Sequence, residues 1–233
     1  EPVHLLDRVP LRENHELLVS ILEHCPKVVA WRPQTIPYVR ATVAAMLNSV
    51  AESLPAGIHL AVTDAWRPFA RQVRIYEFMM RCAIEVFPNR SYQSLKRTVN
   101  RWVAPVDRKS PPGHCTGAAV DVLLYDDKYQ EIDVCAPFSR FQAAPTYSLG
   151  LAAEAQEMRD LLVNSMLAAG FSNCRDEWWH YSYGDSGWAV RLDMPECFYG
   201  LIDLDPSLYT EQEQLAEEAL KSRPNPFIHA RNR

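Results

Sequence analysis

Asp121 is the residue that most limits what this chain can fold into. It sits in the run Gly117-Ala-Ala-Val-Asp-Val-Leu-Leu124, which reads as a strand. Ala118, Val120, Val122 and Leu124 share one face; Ala119, Asp121 and Leu123 share the other. A carboxylate held among apolar neighbours is expensive unless a cation, a hydrogen-bond cage or a metal compensates it. The fold must bring such a partner to the inner side of this strand. Backbone amides or an arginine are one solution, and a metal ion is the other.

The rest of the chain supplies few strands and several helices. Ile36, Val39, Val43, Met46, Val50 and Leu54 recur at gaps of three and four, which predicts a helix over 36–54. After Gly57, Ile58, Leu60 and Val62 alternate as a strand. A second helix opens at Pro68 and runs toward Phe87. Residues 88–112 read as a loop or lid, 150–169 as a helix closed by Gly170, and Glu177 to Tyr183 as an aromatic strand. Asp205 is placed to cap an acidic helix that opens at Pro206. Four prolines interrupt residues 1–35, which read as irregular. This order fits an α+β fold: a single domain with a small, mostly antiparallel central sheet flanked by helices. The expected domain spans 1–195, with 196–233 as a C-terminal extension.

Composition removes several function classes. Lys and Arg total 24 against 29 Asp and Glu, a net charge of −5, which argues against a nucleic-acid partner. No apolar run approaches the roughly 18 residues of a membrane span. Neither GxGxxG nor a P-loop is present. Successive cysteines lie at least 20 residues apart, so a zinc knuckle built on CxxC pairs is excluded. A chain of this size has no need of disulfide staples, and free thiols in a reducing, cytoplasmic compartment are expected. A periplasmic site stays open if an N-terminal segment has been removed. The sequence specifies no oligomeric state.

Two of the seven histidines have unusual surroundings. His114 lies seven residues before Asp121, bracketed by Gly113 and Gly117, which permit the chain to bend back. His180 lies three residues after Glu177. In a regular strand those two would face opposite sides, so they converge only if the strand ends or bulges at Trp178–Trp179. Two imidazoles and one carboxylate leave one position open on a tetrahedral zinc, and Glu177 remains as a base for hydrolysis. Arg67, in Thr63-Asp-Ala-Trp-Arg-Pro68, either faces an anion in a cleft or stacks on Trp66 or Trp31 at the surface. Trp179, Tyr181 and the 88–112 segment are candidate walls of a substrate cleft. Gly184-Asp-Ser-Gly187 looks like a serine-protease nucleophile segment, but Trp188 follows and no Ala-Ala-His-Cys segment exists. His114-Cys115 is a weak thiol pair, because adjacent side chains on an extended chain diverge.

Asp64-Ala-Trp-Arg-Pro68, Gly113-His-Cys-Thr-Gly-Ala-Ala-Val-Asp121 and Glu177-Trp-Trp-His-Tyr181 together resemble the zinc D-alanyl-D-alanine dipeptidases of the vancomycin-resistance type, over roughly residues 30–190. The resemblance implies one zinc held by His114, Asp121 and His180. It implies Glu177 as general base, Arg67 at the reacting carbonyl oxygen, and a small peptide as substrate. The metal would lie in a surface cleft on the central sheet. Two positions depart from the family pattern. Pro112 stands where Ser is usual, and 134–153 contain no carboxylate to hold a substrate's amino group. Asp107, Asp126, Asp127 and Asp133 are the nearby alternatives. A carboxypeptidase or endopeptidase acting on longer peptidoglycan peptides is the alternative reading. A non-catalytic zinc-containing binding protein is a third.

Overall fold

The alternating apolar segments pair into one five-stranded sheet, visible in a computed structural model that describes residues 3–228. The N-terminal elements are α1 (Val3–Leu6), β1 (Leu18–Ser20), α2 (Ile21–His24), β2 (Val28–Ala30) and β3 (Tyr38–Arg40). The middle of the chain forms α3 (Ala41–Ser53), β4 (Ile58–Asp64), α4 (Phe69–Val86), α5 (Tyr92–Val99) and β5 (Ala119–Asp126). The remainder forms α6 (Ala153–Ala168), β6 (Ser172–Asn173), β7 (His180–Ser182), α7 (Ser186–Arg191) and α8 (Thr210–Lys221). The strand order is β2-β4-β5-β7-β6, with β2 parallel to β4 and the other neighbours antiparallel. A separate antiparallel pair joins β1 to β3. The architecture is α+β, as the order of elements predicts.

The core forms on the face of β5 that carries Val120, Val122 and Leu124, all fully buried. Leu60 and Val62 of β4 pack beside them, with Val43, Leu47 and Val50 of α3 and Leu162 and Met166 of α6. Burying each such side chain contributes about 1.5–3 kcal/mol relative to exposure. A second cluster joins α4 to α5 through Tyr76, Met80, Leu95 and Val99, and Phe227 from the C-terminal extension completes it. No helix among the described residues is long and apolar enough to cross a membrane. None of the six cysteines forms a disulfide.

Four local readings change. Residues 1–35 are not irregular throughout, because β1 and β2 each find a partner strand that local sequence could not reveal. The helix expected over 36–54 starts only at Ala41, because Tyr38–Arg40 pairs with β1. The loop expected over 88–112 holds α5, capped by the Ser91 hydroxyl accepting from the Ser94 amide. The aromatic strand begins at His180 rather than Glu177.

The extension after residue 195 folds back on the domain, although its last five residues lie outside those described. Arg71 on α4 pairs with Glu213 on α8, and Trp66 Nε1 donates to the Ile202 carbonyl at 3.0 Å. Arg40, 1% exposed, gathers three distant segments. Its guanidinium donates to the Glu16, Thr116 and Gly200 carbonyls and stacks on the Tyr199 ring.

Candidate metal centre

His114 stands on a single 3-10 turn, Gly113–Thr116, between β4 and β5. Both flanking glycines are demanded by geometry. A Cβ on Gly113 would lie 2.5 Å from an Asp185 oxygen. Gly117 has φ +72°, and a Cβ there would lie 2.3 Å from Leu18. The tight turn folds His114 back over the start of β5, which is how residues seven apart meet. His114 Nδ1 donates to the Ala65 carbonyl at 2.9 Å, fixing the tautomer and leaving Nε2 directed at Asp121 Oδ1, 3.3 Å away.

Asp121 is the cross-strand partner of His180 in the β5–β7 ladder. The His180 Nδ1 lies 2.9 Å from Asp121 Oδ1, and the two imidazole rings meet edge-on with centroids 5.0 Å apart. One ligand atom from each of His114, Asp121 and His180 lies within 4.8 Å of the others. Ligands on one tetrahedral zinc, with bonds of about 2.1 Å, lie about 3.4 Å apart, a separation that small side-chain rotations reach. Burial opposes the Asp121 charge, but the adjacent His114, then His180, outweighs burial and holds its pKa well below the ordinary carboxylate value. Burial likewise opposes charge on His114, yet Asp121 raises its pKa above the usual 6.5. Two imidazole nitrogens and one carboxylate, with one imidazole locked from behind by a backbone carbonyl, fit a zinc ion.

Glu177 reaches the same side through a turn. Its carbonyl accepts from the His180 amide at 3.1 Å, and its own amide donates to Cys174. The turn removes the alternation that would have separated them. Glu177 and His180 both line a cavity of about 1410 Å³, as do His114, Asp121, Arg67 and Trp179. Arg67 is a cleft residue, not a surface one. It donates to the Asp64 carboxylate and the Gln72 side chain, and its buried Nε meets no partner.

Tyr181 does not wall the cavity. It is fully buried in the main core, because it points the opposite way from His180 on the same strand. Of the 88–112 segment, Arg97, Trp102 and Pro112 are among the lining residues. Asp107, Asp126, Asp127 and Asp133 all lie off the lining. Asp107 pairs with Lys96, Asp127 with His59 at 2.7 Å, and Asp126 and Asp133 cap local backbone amides. Burial pushes the Cys115 thiol up to about 12, which disposes of a thiol nucleophile beside His114.

Two residues of the site carried no role in the sequence. Asp64 was visible as a polar residue ending an apolar strand, three before Arg67. Arg140 lies in a connection without periodicity and gave no local signal. It lies over the Trp179 and Trp178 rings, 4.7 and 5.0 Å from their centroids.

A family model described as D-ala-D-ala dipeptidase, Peptidase_M15, matches residues 34–198. A D-alanyl-D-alanine dipeptidase of Synechocystis is 30% identical over 155 residues, covering 58% of this chain and 63% of that protein. The match therefore spans a little under two thirds of that relative. A D-alanyl-D-alanine dipeptidase of Escherichia coli is 24% identical over 158 residues, covering 67% of this chain and 72% of its own length. Among solved structures, the vancomycin-resistance D,D-pentapeptidase VanY in complex with Zn(II) is a distant likeness. It has a TM-score of 0.40 and 17% identity, over 69% of this chain and 81% of that one.

Proposed function

This chain belongs to the D-Ala-D-Ala dipeptidase family, and we propose that it is a zinc metallopeptidase that hydrolyses the peptide bond of D-Ala-D-Ala. One observation carries the proposal: two imidazoles and a half-buried carboxylate converge within 4.8 Å at a cavity wall that also holds a glutamate and an arginine.

His114 Nε2, His180 and Asp121 hold the metal in this reading. Bound there, zinc supplies a Lewis acid and lowers the pKa of a coordinated water to about 7. The Glu177 carboxylate takes the proton of the attacking water and returns it to the departing amine nitrogen. Arg67, held from behind by Asp64 and Gln72, directs its guanidinium at the oxygen that gains charge as the carbonyl is attacked. Trp179 forms part of the wall and helps exclude water. A reducing, cytoplasmic setting belongs to this reading, since a chain of this size has no need of disulfide staples.

A second reading has a specific observation behind it. The cavity of about 1410 Å³ exceeds the roughly 300–1,000 Å³ of ordinary small-molecule sites and far exceeds a dipeptide. It leaves room for a D,D-carboxypeptidase or endopeptidase substrate, a longer peptide ending in the same residues.

The test is release of D-alanine from D-Ala-D-Ala and from N-acetyl-D-Ala-D-Ala, by zinc-loaded and zinc-stripped protein. Hydrolysis of the free dipeptide that requires zinc is expected. Preference for the acylated peptide selects the second reading, and no release from either by loaded protein overturns both.

A further inference from the structure

The protein as a whole is acidic, with a net charge of −5, yet its cavity is basic. Among the described residues, eleven arginines and seven carboxylates line it. Several of the arginines are spent on internal pairs. Arg67 is bound to Asp64, Arg71 and Arg74 share Glu213, and Arg108 lies 3.5 Å from Asp7. Arg32 and Arg223 enter no ion pair among the described residues, and Arg140 has only Glu131 at 3.8 Å. Arg90, Arg97 and Arg101 also enter no ion pair among the described residues, but Arg32, Arg140 and Arg223 are set apart by their nearness to one another, Arg32 repelling both of the others.

These three come from remote parts of the chain. Arg32 follows β2, Arg140 lies between β5 and α6, and Arg223 follows α8 in the C-terminal extension. Two of them, Arg32 and Arg223, fall outside the residues matched by the family model. Arg140 is also firmly placed. Its guanidinium lies over two tryptophans, and its loop is pinned by the buried Arg159, which donates to the Val134 and Pro145 carbonyls at 2.9 Å. Loss of hydration in the cleft comes first, and repulsion from Arg32 second, in lowering the pKa of both Arg140 and Arg223. Like charges gathered in one cleft cost free energy unless an anion joins them. A guanidinium presents a planar fork that matches a carboxylate.

We propose that Arg32, Arg140 and Arg223 form a carboxylate-binding subsite of the cleft, which engages a carboxylate of the peptide substrate. The proposal rests on the peptidase reading and specifies its substrate class. Such a cluster repels a free ammonium group and attracts an acidic one. The carboxylate has two possible sources: the C-terminus of the dipeptide itself, or an acidic group on the residue or acyl unit that precedes it.

Calorimetric titration of the zinc-stripped protein reads the subsite without catalysis. The probes are D-Ala-D-Ala, D-Ala-D-alaninamide, N-acetyl-D-Ala-D-Ala and N-succinyl-D-Ala-D-Ala. Weaker binding of the amide, by tenfold or more, assigns the subsite to the C-terminal carboxylate. Tighter binding of the succinyl than of the acetyl peptide, by a similar factor, assigns it to an upstream carboxylate. In either case Arg140→Gln should abolish the difference, and added salt should weaken it. Arg32→Gln and Arg223→Gln, both at exposed positions, repeat the test should Arg140→Gln fail to fold. Equal affinity for all four peptides, or a difference that survives the substitutions, overturns the subsite. D-Alanine release by the zinc-loaded wild type is scored separately, so failure of the peptidase reading is distinguishable from failure of this one.

Discussion

Asp64 stands directly across from Asp121 in the β4–β5 ladder, just past the register shift that follows Val62. Like charges opposite one another destabilise a sheet unless each is compensated. Here the compensation is divided. For Asp64, burial opposes the charge, but Arg67 and then His114 outweigh it and lower its pKa. Asp121 relies on the two imidazoles. The metal site and the arginine site are thus two halves of one electrostatic arrangement.

Asp64→Asn keeps the side-chain shape and removes the charge that holds Arg67. We expect kcat to fall by up to about a hundredfold with zinc content unchanged, since a donor at the developing oxyanion is worth roughly that much. Arg67→Lys should do comparable damage, because Lys lacks the planar fork. Initial rates beside metal analysis check both, and undiminished rates would return Arg67 to a packing role.

Glu177→Gln removes the base and leaves the turn that presents His180. Zinc should be retained while kcat drops by about 10²–10⁴, the usual contribution of a positioned proton acceptor. Near-normal turnover in a fully loaded variant would contradict the assignment.

Zinc uptake should be linked to pH through His114. Its pKa is raised in the metal-free fold, so below that raised value the metal must displace a proton from it. Affinity should therefore fall as pH drops through that raised value, and calorimetry in buffers of differing ionisation heat should register proton release. The stability of the metal-free protein should carry the opposite sign. A raised folded pKa stabilises it fully below the ordinary 6.5 and loses that contribution as pH rises through the folded value. Asp121 behaves inversely. Its lowered pKa contributes stability above the ordinary 3.8, lost as pH falls toward the folded value. His114→Ala should remove both the histidine effect and the zinc.

Tyr181→Phe should be harmless to catalysis and slightly favourable to folding. The Tyr181 hydroxyl is buried without a hydrogen-bond partner, and an unsatisfied polar group of that kind costs about 1–3 kcal/mol. A rise in Tm with unchanged kcat/KM is expected. A large loss of activity would mean that the ring reaches the substrate after all.

The chemistry of the site was more legible in the sequence than its surroundings. Asp121 announced itself because an acid within an apolar strand needs an explanation, and Gly113 and Gly117 marked the bend that brings His114 to it. The approach of Glu177 to His180 was visible only as a geometric condition, met by a turn that local propensity does not specify. β2 was hidden because a three-residue strand gains its identity from β4, some thirty positions away. Tyr181 was misplaced because an aromatic residue beside a strand suits a core and a cleft equally until register decides. Arg140 carries no pattern at all, since its position depends on a long connection and on tryptophans nearly forty residues downstream.

Arg40 gives the ends of the chain a say in the chemistry. The N-terminal arm, the turn bearing His114 and the segment at Gly200 all hang from one guanidinium, as from a single peg. A chain cut back to residue 198, where the family match stops, would leave that peg short of one carbonyl and with a donor to spare. The slack would be felt first beside Thr116, two residues from the first imidazole. Shortening a tail that touches no reacting atom would thereby loosen the seat of the ion.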